Sequence, residues 1–322
     1  MAVYTEVSLD QARALAGVLA LGEVRALQPI GSGIENTNYF LDTDEGAWVL
    51  TLFERLGADQ LPYYLALMRH LARHGLPVPE PRANAAGALC HPVSGKPAAV
   101  VNRLPGSPVE APDVHHADQV GAMLARMHLA VADFPLAQPN LRGLGWWQAT
   151  APLVRPRLSP EQAALLDSEL AYQQHLAASP SHAQLPRGAV HADLFRDNAF
   201  FEGLPGRERL SAVFDFYFAG TDTFAYDLAV TLNDWCIDDD SGHLDDTRAQ
   251  ALITGYRSAR EPEGVEWRLL PALRRAAALR FWLSRLADWH LPRDAALLTP
   301  KDPRHFERVL RDCVANPWHP AG

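Results

Sequence analysis

Two apolar runs frame the most chemically suggestive stretch of the chain, Val190-His191-Ala192-Asp193-Leu194-Phe195-Arg196-Asp197-Asn198-Ala199-Phe200-Phe201. A strand end gives way to a polar loop and then to a second apolar strand, which presents the polar side chains at an edge. Seventeen residues past Asn198 stands Asp215, flanked by Phe214 and Phe216, and an acid between two phenyl rings needs a partner. Phosphoryl transfer from ATP requires a carboxylate to orient the acceptor hydroxyl and take its proton, and oxygen ligands to hold Mg²⁺ against the phosphates. Asp193 is read as that base, and Asn198 and Asp215 as the metal ligands. Other readings stay open. A His-x-Asp pair also occurs in structural loops, and His191, Asp193 and Asp215 would suit a metal-dependent hydrolase centre. Asp197 reads as an exposed loop charge or a third ligand.

These residues need a scaffold, and the hydrophobic periodicity describes one. Ser8 is placed to cap a helix running to Leu19. Val24 to Pro29, Thr37 to Leu41 and Trp48 to Phe53 read as an antiparallel meander, Leu61 to His74 as a helix closed by Gly75, and Ala88 to Cys90 and Ala98 to Arg103 as two more strands. The Pro/Gly stretch Leu104 to Pro108 marks a boundary. Beyond it Asp118 to Ala130, Pro160 to Ala178, Tyr226 to Trp235, Asp245 to Arg257 and Trp267 to His290 carry helical periodicity, and only Gly188 to Phe218 reads as strand, loop and hairpin. The expectation is an α+β fold of two lobes. A small antiparallel-sheet lobe spans residues 1–103, a hinge lies at about 101–106, and a larger, mainly helical lobe spans 107–322.

Composition narrows the partners. The 322 residues are 48% hydrophobic and 21% charged with a net charge of −9, and the longest charge run is Asp238-Asp239-Asp240. There is no basic excess to hold a polyanion, which argues against nucleic acid. Cys90, Cys236 and Cys313 are far apart and unpaired in pattern, and no segment has the length or apolarity of a membrane span. A cytoplasmic protein, monomeric or a weak homodimer, is expected.

The loop from His191-Ala192-Asp193-Leu194 to Asn198, then Asp215 and Asp227-Leu228-Ala229, resembles the aminoglycoside phosphotransferase and choline kinase superfamily, whose fold is protein-kinase-like. Met1 to Thr5, Gly33 to Phe40, Val49 to Glu54, Phe214 to Ala219 and Ala278 to Phe281 resemble its homoserine kinase branch. That resemblance implies ATP and Mg²⁺ as cofactors and L-homoserine as the acceptor, giving O-phosphohomoserine for threonine synthesis. It also implies a structural role for His191, while Asp227, at a helix start, suits a brace accepting backbone hydrogen bonds.

On the nucleotide side, Gly31, Ser32, Gly33, Asn36, Thr37 and Asn38 form a glycine turn between strands that can bring N–H groups to phosphates, although any hairpin may hold Gly-Ser-Gly. By analogy with the fold, Val101 and Arg103 at the hinge would meet adenine. The wider kinase pattern puts a lysine where this chain reads Leu50-Thr51-Leu52, and only Lys96 and Lys301 exist. The homoserine kinase pattern also has threonine there; a nucleotide-binding protein without transferase activity is the contrary reading. For an amino-acid acceptor, Arg280 is the candidate carboxylate ligand, or else a structural ion pair to Asp288 or Asp234. Tyr217, Asn233 and Trp235 would line the same pocket, or belong to the core. Aromatic faces would also allow a choline-like ligand.

Overall fold

Ser8 accepts from Gln11 N while the Gln11 side chain accepts from Ser8 N, a reciprocal cap that starts α1 (Leu9–Leu19). Residues 5–31, 36–291 and 300–320 of this computed structural model are described below. They group into two compact units: Met1–Pro105 with Ala212–Phe214, and Gly106–Ser211 with Asp215–Gly322.

In the first unit, Ala12, Leu15, Ala16 and Leu19 of α1 bury against one face of a five-stranded antiparallel sheet. Its strands are β1 (Val24–Pro29), β2 (Asn36–Thr43), β3 (Ala47–Phe53), β4 (His91–Val93) and β5 (Lys96–Asn102), in the order β1-β2-β3-β5-β4. Register follows the two-residue side-chain period: Tyr39 opposes Leu50 and Leu52 opposes Ala98, so all four reach the α1 face. Helix α2 (Leu61–Arg73) starts at a proline-containing first turn and ends ahead of Gly75, whose φ is 76°. The strand expected at Ala88–Cys90 is absent. Asn84 Oδ1 accepts from Ala86 N and Ala88 N, a side-chain turn that takes up the backbone a strand would use, and pairing begins only at His91.

The second unit contains α3 (Val114–Ala130), α4 (Leu144–Val154), α5 (Pro160–Ala177), α6 (Pro180–Ala183), β6 (Arg187–Val190), β7 (Ala199–Glu202), β8 (Arg209–Val213), β9 (Gly220–Thr223), α7 (Phe224–Trp235), α8 (Asp246–Arg257), α9 (Gly264–His290) and α10 (Arg304–Ala315). The last residues of β8 group with the first unit, where Val213 N donates to Pro77 O. Helix α3 begins four residues before the expected start because Asp113 caps the N–H groups of His115 and His116. Helix α4 carries Gly145 and Pro152, which hide its periodicity, and α10 is a short amphipathic helix led by Pro303. Neither was expected. Helix α9 is buried along most of its length and packs against α4, α5, α7 and α10. Among the described residues no helix is long and apolar enough to cross a membrane.

Helices α3 and α8 touch backbone to backbone. A Cβ built on Gly121 would run into Leu252 O, and one on Gly255 into Asp118 O. Alanine normally favours a helix over glycine by about 1 kcal/mol. Here the sign should reverse, because the helices would have to separate: Gly255→Ala is expected to destabilise the fold by roughly 1–3 kcal/mol in urea denaturation. A variant as stable as wild type would show that the close approach is not required.

Candidate active site

The loop after β6 is held from below by one carboxylate. β6 pairs with β9 antiparallel, Val190 opposite Gly220, and β9 runs directly into α7, capped by Thr223. This turn places Asp227, wholly buried, beneath the chain leaving β6. Its Oδ2 accepts from His191 N at 2.9 Å and its Oδ1 from Ala192 N at 2.7 Å. Ala192 is left-handed, φ 61°, a conformation that costs a residue with a Cβ roughly 1–2 kcal/mol. Two charge-assisted hydrogen bonds offset that strain.

His128, far off in sequence on α3, completes the clamp with Nε2 3.0 Å from Asp227 Oδ2 and Nδ1 2.7 Å from Tyr256 Oη. Burial lowers the His128 pKa despite the neighbouring Asp227, so the ring is neutral near pH 7. A neutral ring donates from Nε2 to Asp227 and accepts at Nδ1 from the Tyr256 hydroxyl. Tyr256 Oη in turn accepts from Arg260, which grips the buried Glu266 with both guanidinium nitrogens at 3.0 and 2.8 Å. Burial works to raise the Asp227 carboxyl, but the hydrogen bonds from His128 and from the His191 N–H hold it below the ordinary value.

Above this clamp the loop folds on itself. Asp193 N donates to His191 Nδ1, and Asn198 Nδ2 donates to Asp193 O at 2.8 Å, with Asp193 Oδ2 at 3.4 Å. Asn198 Oδ1 takes no hydrogen bond from a described residue, so the oxygen is left available to a hard cation. His191 is 2% exposed and its ring lies 4.5 Å from that of Phe216. Asp215 is the second left-handed residue here after Ala192, φ 63°, and leads into a single 3-10 turn over Phe216–Phe218. Its charge bears on Asp193.

Burial drives the Asp193 carboxyl up to about 8, with Arg280 opposing the rise and Asp215 and Asp197 adding to it. Arg280 projects from α9, 3% exposed, with its guanidinium 3.7 Å from Asp193 Oδ1, 3.7 Å above the Phe281 ring and 5.0 Å from the Phe218 ring. It forms no pair with Asp234 or Asp288. Asp234 is taken by Arg196, whose backbone N donates to it at 2.7 Å. Burial pushes the Tyr217 hydroxyl up strongly, and the Asp215 charge adds to it.

Thus Asp193, Asn198 and Arg280 are brought together, and Asp215 stands close enough for its charge to bear on Asp193 and on the Tyr217 hydroxyl. Asn233 and Trp235 do not join them. Both are wholly buried: Asn233 Nδ2 donates to Arg274 O and its Oδ1 accepts from Arg274 Nε, while Trp235 Nε1 donates to Leu194 O and secures the loop from behind. They face the helix packing, which needs their hydrogen bonds. The clamp residue His128 escaped sequence reasoning, since a lone histidine in an amphipathic helix carries no local sign of a partner 99 residues away.

In the first unit, Ser32 and Gly33 lie outside the described residues. Gly31 is exposed and follows Ile30, whose N donates to Asn38 O. Asn36 and Asn38 open β2, but Thr37 turns inward, fully buried, donating to Glu54 Oε1 at 2.7 Å; its hydroxyl is no phosphate ligand, because strand alternation sends it to the α1 face. Thr51, at the position of the missing lysine, donates to Asn38 Oδ1 at 2.8 Å. Lys96 is paired with Glu54 at 3.1 Å. Val101 sits inside the sheet between Val49 and Pro81, so its backbone belongs to the ladder and not to a hinge, whereas Arg103 is exposed and stacks on Phe40 at 3.8 Å.

Two expected outcomes test this geometry. Asp227→Asn replaces an acceptor of three N–H groups by one that must turn a donor toward them, and should destabilise the protein by about 3 kcal/mol or more. Stability unchanged in urea denaturation would contradict the clamp. Asp193→Asn should instead stabilise the protein free of divalent cations. Below the ordinary carboxyl value of 3.8, Asp193 is protonated folded and unfolded, at no cost. As pH rises toward about 8 the unfolded chain ionises while the folded one resists, so wild type loses stability relative to the variant, and the difference levels off above that pH. Melting curves at pH 5 and 8 should show the larger gain at pH 8; an equal or smaller gain there would refute the raised carboxyl.

Residues 26–262 match the model of the phosphotransferase enzyme family. The chain is 58% identical over 318 residues to a homoserine kinase of Polaromonas naphthalenivorans, covering 99% of both chains, and 51% identical to a homoserine kinase of a Janthinobacterium species, covering 97% of this chain and 95% of that one. Its fold matches an amicoumacin kinase with a TM-score of 0.68 at 17% identity, covering 90% of this chain and 89% of the other. It also matches a choline/ethanolamine kinase family protein from Mesorhizobium loti with a TM-score of 0.61 at 18% identity, covering 95% and 93%. The fold is therefore protein-kinase-like, and the braced loop with its acid, amide and second acid stands within sequence that the family model covers. The chain belongs to the phosphotransferase enzyme family and, within it, to the family of the homoserine kinases.

Proposed function

We propose that this protein transfers the γ-phosphoryl group of ATP to the side-chain hydroxyl of L-homoserine, releasing ADP and O-phospho-L-homoserine. The observation that carries the choice of acceptor is Arg280. It is a buried guanidinium beside Asp193 that makes no hydrogen bond to any described residue. A buried charge with its donors unspent calls for an anionic ligand, and the carboxylate of an amino acid supplies one in bidentate geometry. The same residue disfavours a quaternary ammonium. The aromatic faces that would receive it, Phe218 and Phe281, are already covered by the guanidinium.

In this reading Asp193 orients the acceptor hydroxyl and takes its proton as the oxygen attacks the γ-phosphorus, so the O–P bond to homoserine forms as the bond to ADP breaks. Arg280 holds the carboxylate end, fixing the hydroxyl relative to Asp193. Asn198 Oδ1 and Asp215 fit Mg²⁺ as hard oxygen ligands, and the ion bound there would neutralise the transferring phosphates. Gly31, Ser32 and Gly33, with Asn36 and Asn38 after them, and the exposed Arg103 are the nucleotide-side candidates of the first unit. His191 and Asp227 position the loop without touching substrate.

ADP release, coupled to NADH oxidation and measured with Mg²⁺-ATP, tests this directly against L-homoserine, choline, an aminoglycoside and no acceptor. Stimulation by L-homoserine alone is expected. Stimulation by choline in its place, or silence with every acceptor, would overturn the reading. Arg280→Ala should raise KM for L-homoserine by about 10- to 100-fold while KM for ATP stays within about twofold, since the lost contact is with the acceptor alone.

A further inference from the structure

Helix α7 meets the loop after β6 at a second place, two helical turns beyond Asp227. Asp234, seven residues on and so on the same face, accepts from Arg196 N at 2.7 Å through its Oδ2. Arg196 opens the single 3-10 turn Arg196–Asn198, and Phe195 before it offers no side-chain cap. The N–H that a local cap would take goes instead to a carboxylate on another helix. The Arg196 side chain folds back onto the same partner, with Nη2 2.6 Å from Asp234 O and Nε 3.4 Å from Asp234 Oδ2, while Nη1 reaches Asp239 at 2.9 Å. The Asp234 side chain is 13% exposed and that of Asp239 63%, so the inner contact is the strong one and the outer is screened by water.

The two carboxylates of α7 hold different parts of the loop. Asp227 fixes His191 and Ala192, immediately ahead of Asp193. Asp234 fixes Arg196, and the turn that Arg196 starts closes with Asn198 N donating to Phe195 O at 2.9 Å. Between them Leu194 O is taken by Trp235 Nε1, from the next position of the same helix. Asn198 is therefore held through its backbone by the turn and through Nδ2 by Asp193 O, which leaves Oδ1 for the cation.

We propose that Asp234 is a positioning residue for Asn198: by holding Arg196 N it fixes the turn that presents Asn198 Oδ1 to the divalent cation. The assignment rests on the reading that Asn198 is a metal ligand. Groups that orient a ligand without touching the ion change metal affinity by about 10- to 100-fold when they are removed. The acceptor side should not respond, since Arg280 projects from α9.

Binding of Mn²⁺ to the full chain with ADP present, followed by electron paramagnetic resonance, reads the cation directly and needs no turnover. Arg196→Met keeps the backbone N–H and its bond to Asp234 while removing the guanidinium that loss of Asp234 would strand, and so serves as the parent. Adding Asp234→Ala should weaken Mn²⁺ binding about 10-fold relative to that parent, and Asp234→Asn in the same parent, which keeps an oxygen for the N–H, should recover most of the loss. Asp239→Asn in the wild-type chain removes only the exposed contact and should leave Mn²⁺ binding within about twofold. KM for L-homoserine at saturating Mg²⁺ should also stay within about twofold in the Asp234→Ala chain. An Asp234→Ala chain that binds Mn²⁺ as its parent does would overturn the assignment, whatever its melting temperature. An equal loss from Asp239→Asn would overturn it too, by pointing to charge and not to the turn, as would a rise in KM for L-homoserine as large as the loss of Mn²⁺ affinity, the mark of a loop loosened as a whole. Asn198→Ala separates the two readings. If it weakens Mn²⁺ binding and Asp234→Ala does not, Asp234 alone is misassigned; if it leaves Mn²⁺ binding intact, Asn198 is no ligand and this assignment falls with that reading.

Discussion

The shape of this loop hangs on one buried carboxylate accepting two consecutive backbone N–H groups. Without Asp227 beneath them, His191 and Ala192 would have two amides in a dry interior and a left-handed alanine with nothing to hold it. With it, the chain leaving β6 turns sharply enough for Asp193 and Asn198 to stand together. The carboxylate is itself secured by a chain of hydrogen bonds through His128, Tyr256, Arg260 and Glu266, which draws on α3, α7, α8 and α9. Positioning of Asp193 and Asn198 is thus a property of the helical core, as a site requiring tight geometry needs.

The site built on that brace gathers a buried acid, a buried guanidinium and left-handed backbone within one short stretch of the second unit. Asp193 is buried beyond what its neighbours compensate, Arg280 keeps its donors unspent, and two non-glycine residues occupy left-handed backbone. Elsewhere charges are paired closely, as in Arg275 with Glu169 at 2.5 Å and Arg260 with Glu266. Holding a buried acid and a buried guanidinium side by side is the expected trade between stability and function, and α9, buried along most of its length, is the element that carries Arg280.

The loop that brings Asp193 and Asn198 into hydrogen-bond contact was legible in the sequence because it is local: the two lie five residues apart, and Asp215 follows after one hairpin. The helix and sheet-lobe pattern was legible for the same reason, as with Ser8 and Gln11 at the start of α1. What sequence misplaced depends on facing. Asn233 and Trp235 follow the loop clamp in α7, but they turn into the α9 packing and toward Leu194 O, a choice that no periodicity decides. Thr37 and Asn38 are adjacent and point to opposite faces of one sheet, so a glycine turn followed by three polar residues overstates its phosphate ligands. The approach of Arg280 to Asp193 and of His128 to Asp227 spans long stretches of chain and follows only from helix packing.

The most direct test of the central claim is to follow the phosphorus itself. Phosphorus-31 NMR of the protein with Mg²⁺-ATP and L-homoserine should show a phosphomonoester signal growing in step with ADP, and none with Asp193→Asn. Growth of inorganic phosphate alone, or a phosphomonoester that Asp193→Asn still makes at the wild-type rate, would contradict a braced loop that presents Asp193 to an amino-acid hydroxyl.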